Sequence, residues 1–296
     1  MKRYIDSFLE YMVIIRSASQ NTVLAYERDL ARFAEHMLEA GAEKPDAVTE
    51  SMLADYVFAL EKGGAAPSTV ARHVSSLRAF YRFLLENDDV QRNITDCLEL
   101  PKRKREYPTV LTMEQIDRLL DAPDTERPMG QRDKAMLELL YASGLKVGEL
   151  IRLYPGDIDL RSAIVRIASD NSSHSREIPF GEKARDALTV WIGKGRERYV
   201  SALKQAPLFV NVRGTGLTRQ SVWKLVRQYA AQAGIEGEIT PGILRHSFAS
   251  HLMENGADAA SLTRMMGFSA EAQTAVYESN EEERLRDIYA KAQKRG

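Results

Sequence analysis

Between Thr240 and Tyr277 the chain reads TPGILRHSFASHLMENGADAASLTRMMGFSAEAQTAVY, and its punctuation constrains the fold more than any other stretch. Thr240 is a helix cap, and Pro241 follows at the first helical position, where a missing N–H costs nothing. Gly256 ends that helix. Asp258 caps a second, which Gly267 ends. A third short helix carries Tyr277.

A chain of 296 residues is long enough for two domains, each with its own core. Hydrophobic residues make up 44% and charged residues 28%, the balance of a water-soluble globular protein. No stretch stays apolar for the length of a membrane span. The opening MKRYIDSFLEY places acids inside its first apolar segment and has no small-residue cleavage site, so no signal peptide is expected. The single cysteine, Cys97, excludes an internal disulfide and a cysteine-rich metal site. A cytoplasmic location is the resulting expectation.

Net charge is −1, yet the charge is segregated. Ser68 to Leu85 holds no acid but contains Arg72, His73, Arg78 and Arg82. Lys102, Arg103, Lys104 and Arg105 are consecutive. Arg198 to Ile235 again lacks acids and carries Lys204, Arg213, Arg219, Lys224 and Arg227. Such stretches suit phosphate-binding faces and equally suit solvated helix surfaces.

Residues 1–100 read as helices throughout. In the fourth, Val70, Val74, Leu77, Tyr81 and Leu84 form the apolar stripe, with Arg72, Ser75, Ser76, Arg78, Ala79 and Arg82 expected on the opposite, open side. Residues 101–111 read as a basic linker bracketed by Pro101 and Pro108. Residues 112–296 begin with helices, the second over Arg132–Ser143, and a short helix is expected over Glu149–Leu153. Strands over Ile158–Leu160, Ala163–Ile167 and Arg176–Pro179 make a small antiparallel sheet. A short strand at Pro207–Val210, a basic helix from Arg219 and the opening stretch follow, then a charged tail helix from Glu281 to Arg295. The fold class is mainly α with a small antiparallel β-sheet.

The segments SxNTxxAYxRDLxxF (Ser19 to Phe33), PSTVARHVSSLRAFYRFLL, LPKRKREYPTVLT, GLKVGEL and TPxxLRHSFASHLxxxGAD resemble the tyrosine recombinases of the phage-integrase family, the Xer recombinases in particular. The resemblance spans nearly the whole chain. It implies a helical, SAM-like core-binding domain over residues 1–100 and an α+β catalytic domain over 112–296, closing as a C-shaped clamp on duplex DNA. It also implies a tail helix that docks on a neighbouring protomer, and chemistry without metal or other cofactor.

The resemblance further implies that a tyrosine attacks a DNA phosphodiester. Two arginines would stabilise charge on its non-bridging oxygens, a lysine would protonate the departing oxygen, and a His and a His or Trp would assist. Tyr277 and Arg245 match. Lys146 stands for the first arginine: GLKVGEL replaces GLRVSEL, so the charge is kept without the planar fork. Asp170 falls at the lysine position, and no lysine lies between Lys146 and Lys183; His174 and Arg176 are the substitute donors within reach. Gly242 stands for the His and Phe268 for the His or Trp. His246 is expected to brace its helix.

Three readings stay open. The favoured one is a duplex-DNA-binding protein of this type with impaired or lost strand cleavage, contacting DNA through Arg72, Arg78, Arg82, Lys102, Arg103, Arg213, Arg219, Lys224 and Arg227. It would assemble with itself or with an active recombinase through the tail helix. The second is an active recombinase using Tyr277 with substituted helpers. The third is a protein-interaction module without DNA binding.

Overall fold

The computed structural model describes residues 1–16, 18, 20–98, 109–168, 175–200 and 205–267. The chain divides into two compact units, Met1–Glu106 and Tyr107–Gly296.

In the first unit, α1 (Lys2–Ile14), α2 (Gln20–Glu39), α3 (Glu50–Lys62) and α4 (Pro67–Glu86) pack around one core, with 3-10 turns at Pro45–Ala47 and Ile94–Cys97. Thr49 caps α3 by accepting from the Met52 amide at 3.3 Å. Phe8 sits edge-on to Phe80 with ring centroids 5.5 Å apart, fastening α1 to α4. The stripe on α4 is wider than its spacing suggests. Val70, Val74, Leu77, Tyr81 and Leu84 are buried as expected, but so are His73, Ser76, Phe80 and Phe83. The physical reason is that α1, α2, α3 and the second 3-10 turn all pack on α4, so its polar side is only partly open.

The second unit begins with α5 (Met113–Asp121), held by a capping box in which Thr112 and Gln115 exchange hydrogen bonds. Next come α6 (Pro128–Ser143) and α7 (Val147–Leu150). Helix α6 starts one turn earlier than the apolar pattern indicates, because Pro128 is at home in the first turn. Helix α7 stops three residues short of the expected Leu153, where Tyr154–Pro155 turn into the sheet.

Strands β1 (Ile158–Asp159), β2 (Ile164–Ile167) and β3 (Arg176–Pro179) form an antiparallel sheet in sequence order. Val165 pairs with Ile158 on one side and Ile178 on the other, so the buried residues share one face. Helix α8 (Glu182–Val190) runs into a wider turn, Trp191–Gly195, around the buried Trp191. The expected strand at Pro207–Val210 is replaced by a single bridge between Val210 and Gly216. Its backbone is satisfied elsewhere: the Leu208 amide donates to the Leu153 carbonyl, and the Trp191 indole donates to the Leu208 carbonyl. Then follow α9 (Arg219–Gln232), α10 (Pro241–Glu254) and α11 (Ala259–Met266). No described helix is long and apolar enough to cross a membrane.

Candidate active site and nucleic-acid interface

Helix α10 is built as its sequence indicates. The Thr240 hydroxyl accepts from the Ile243 amide at 3.3 Å, and Pro241 follows as the first helical residue. One turn on, Arg245 leaves α10 half-buried and donates through Nη1 to the Gly144 carbonyl and through Nη2 to the Met266 carbonyl. Gly144 and Gly267 end α6 and α11 in left-handed conformations, φ 59° and 60°. Arg245 therefore ties the loop carrying Lys146 to the turn that precedes Phe268.

A second guanidinium ties the same two segments. Arg176, on β3, donates from Nε to the Met265 carbonyl at 2.9 Å and from Nη2 to both Glu149 carboxylate oxygens at 2.9 and 3.0 Å. Glu149 in turn accepts from the Lys146 amide at 2.8 Å, fixing the start of α7. Arg176 is thus a brace. A guanidinium that stays protonated and is paired with a carboxylate is a poor proton donor.

The close approach explains Gly267 twice over. Its φ is positive, and an added Cβ would stand 2.9 Å from the Arg176 guanidinium. At Gly144 a Cβ would meet the Phe248 ring at 2.5 Å and the Met266 sulfur at 2.8 Å. Gly242 is different: it is exposed, and among the described residues a Cβ there meets only Thr240 Oγ1, at 3.4 Å. Beside Arg245, His246 is half-buried, and burial, then the neighbouring positive charge, lowers its pKa. Lys146 is exposed. Asp170, His174, Phe268, Tyr277 and the tail helix lie outside the described residues, as do Lys102 and Arg103.

The candidate DNA-contacting arginines fall into two groups. On α9, Arg219, Gln220, Trp223, Lys224 and Arg227 line a depression of about 460 Å³. All five are exposed; Arg227 approaches Glu238 only at 3.9 Å. Arg213 is exposed on the turn between Asn211 and Thr215. In the first unit the expected open row is engaged internally. Arg72 pairs with Asp29, whose carboxylate is 2% exposed. Arg78 donates to the Leu98 carbonyl at 2.7 Å. Arg82 remains exposed.

Asp29 is the centre of a buried network that sequence reasoning missed. His73 Nε2 lies 3.2 Å from Asp29, Ser76 donates to its other oxygen, and Tyr56 meets His73 Nδ1 at 2.9 Å. Burial lowers the His73 pKa against the opposing pull of Asp29. A neutral imidazole then donates to Asp29 and accepts from Tyr56, leaving every polar group satisfied. The available signal was an acid embedded in an apolar helical stripe, between Tyr26 and Phe33. Glu149 had a clearer one: it stands three residues after a helix cap.

Comparison with known proteins identifies the family and the fold. Residues 109–284 match the phage integrase family, and residues 5–88 match the phage integrase N-terminal SAM-like domain. The tyrosine recombinase XerD of Listeria innocua is 35% identical over 98% of both chains. That of Halalkalibacterium halodurans is 36% identical over 97% of this chain and 96% of its own. Among solved structures, the XerH recombinase on palindromic difH substrate, a post-cleavage complex, superposes with a TM-score of 0.74 at 20% identity, covering 93% of this chain and 81% of that one. The Tn1549 transposon integrase in complex with a circular intermediate DNA gives 0.75 at 21%, covering 96% and 99%. In its two domains and its sequence this chain belongs to the phage integrase family, as a Xer-like tyrosine recombinase.

Proposed function

We propose that this chain binds duplex DNA and that strand cleavage through Tyr277 is strongly impaired or lost. The observation that carries the reading is a contrast at one site. Among the described residues the scaffold is kept: Arg245 and Arg176 hold the Lys146 loop against the end of α11. Four positions that the family pattern assigns to chemistry hold Lys146, Asp170, Gly242 and Phe268.

Arg245 keeps the guanidinium that would face a non-bridging phosphate oxygen, and Lys146 keeps a charge there without a fork. Gly242 offers no proton, and an acid at position 170 would repel the phosphate. Losing a general acid costs about 10²–10⁴-fold and losing an oxyanion contact about 10²–10³-fold. Such losses do not add, yet several together leave little turnover. Binding has separate support in the exposed α9 face and in the DNA complexes formed by structural neighbours. A protein that binds and barely cuts suits an architectural role, or assembly with an active relative through its C-terminal segment.

Covalent trapping tests this. Fragments selected from sheared genomic DNA are nicked near the protected centre and incubated with wild type and Tyr277→Phe, then run on a denaturing gel. Bound fragments without a DNA–protein adduct are expected. A Tyr277-dependent adduct would mean that the substituted site still cleaves. Failure to recover any fragment would favour a protein-interaction module.

A further inference from the structure

Two departures from the GLRVSEL pattern lie two residues apart: Lys146 replaces the arginine and Gly148 replaces the serine. Gly148 is not among the glycines with positive φ, so its backbone makes no demand for glycine. Space does. The guanidinium of Arg219, the first residue of α9, packs directly on it. A Cβ at position 148 would stand 2.8 Å from Arg219 Nη2 and 3.4 Å from both Cζ and Nε. Any side chain there would meet the flexible far end of Arg219 and push it aside, leaving the backbone of α7 unmoved.

Arg219 is exposed, and among the described residues it has no hydrogen-bond acceptor or ion-pair partner. Its neighbour across the gap is the loop of Lys146, the position where the pattern expects a planar, two-pronged donor. Lysine supplies one compact charge there and cannot bridge two oxygens of one phosphate. Arg219 places a guanidinium against Gly148, two residues along the chain from Lys146 and on another helix.

We infer that Arg219, seated on Gly148, replaces the fork that Lys146 lacks, so that Lys146 and Arg219 together hold one DNA backbone phosphate at this site. The inference rests on the reading that this face binds duplex DNA. Gly148 is then a positioning residue: its lack of a side chain places Arg219.

The test is a double-mutant cycle on the full chain with a fluorescein-labelled 30-base-pair duplex of random sequence, titrated at several potassium chloride concentrations. Each phosphate contact contributes about 0.9 to the slope of log affinity against log salt. Because Lys146 stays on the shared phosphate, Gly148→Ser and Arg219→Gln are each expected to weaken binding about tenfold at fixed salt while lowering that slope by less than about 0.9, and the double variant to weaken it no further. Melting curves check that the variants fold. Arg219→Gln alters only an exposed side chain, so it keeps the test decisive even if Gly148→Ser unfolds. An Arg219→Gln variant that binds like wild type at every salt concentration overturns the inference. So does a Gly148→Ser variant that folds and binds like wild type, or a double variant in which the two losses sum. If wild type itself shows no salt-dependent binding, the DNA-binding reading fails first and this inference falls with it.

Discussion

The arginines of α4 and those of α9 look alike as sequence, since each set lies in a run without acids. The fold treats them differently. Arg72 is held by a carboxylate 2% exposed, and Arg78 by a main-chain carbonyl. Arg219 and Lys224 point outward from a helix whose neighbours offer them no hydrogen-bond acceptor among the described residues. A basic run therefore says little about which cations are available to a phosphate. What decides is whether a buried acid or a main-chain carbonyl elsewhere in the chain already faces them.

The contrast can be broken most sharply at Asp29. If its carboxylate is the anchor of the first unit's polar network, Asp29→Ala leaves Arg72, His73 and Ser76 without their shared partner. Arg72 is 42% exposed and can turn to water, so the main cost is the buried His73 donor left unpaired, about 1–3 kcal/mol. Urea unfolding of the full chain should show the first unit melting earlier, with the second unit's transition unmoved. A loss under about 1 kcal/mol, the scale of an exposed pair, would place Arg72 with the α9 residues.

Of similar size is Gly144→Ala. Its φ is 59°, and the added methyl would enter the Phe248 ring and the Met266 sulfur. The left-handed backbone costs about 1–2 kcal/mol for a residue with a Cβ, and overpacking adds about 1–3 kcal/mol. Thermal unfolding of the second unit should fall accordingly. A neutral result would mean that the Arg245 clasp tolerates movement of the loop it holds.

These two residues also mark how much was legible in sequence. Caps and stops were readable because each depends on a few adjacent residues: Thr240, Pro241, Asp258 and Gly267 all act as their local chemistry dictates. The three strands were readable to within one or two residues at each end. The Arg245 and Arg176 clasp was not, because three of its acceptors are main-chain carbonyls at the ends of α6 and α11, which no side-chain pattern announces. The open face assigned to α4 was too wide for a related reason. Periodicity finds the first packed side of a helix and is blind to a second one made of serine, histidine and aromatic residues. Gly148 carried no signal in its own segment, since its packing partner is about 70 residues away.

The same comparison can be sharpened by salt titration of duplex binding. Lys224→Gln should lower the salt slope by about 0.9, the share of one released phosphate contact. Arg72→Gln should lower it by less, because Asp29 already neutralises that guanidinium. Equal losses would show that Arg72 exchanges its partner for phosphate. Acid titration probes the network from the other side. His73 has a lowered pKa in the folded chain, so between that value and about 6.5 the unfolded chain binds more protons. Its contribution to stability is therefore present above about pH 6.5 and lost as pH falls through the folded pKa. His246 acts in the same direction. Melting curves of wild type should fall from pH 7 towards pH 5, and less steeply in His73→Asn, which has no imidazole to protonate.

The smallest effect belongs to Gly242, and its sign is opposite. This glycine sits in the first turn of α10, where a Cβ has room: the nearest atom, Thr240 Oγ1, is at 3.4 Å. Nothing in the backbone calls for glycine, since its φ is not positive. Gly242→Ala should therefore stabilise the second unit by about 0.5–1 kcal/mol, the usual difference inside a helix, read as a small rise in melting temperature. Gly242→His adds the imidazole that the family pattern places there, into the same open space. If the histidine variant folds as well as the alanine variant but forms no Tyr277 adduct on nicked DNA, the missing imidazole is not what limits cleavage. The substitutions at positions 146, 170 and 268 then carry that deficit. If alanine instead lowers the melting temperature, glycine is needed at the head of α10 for packing, and its presence does not mark a discarded catalytic group.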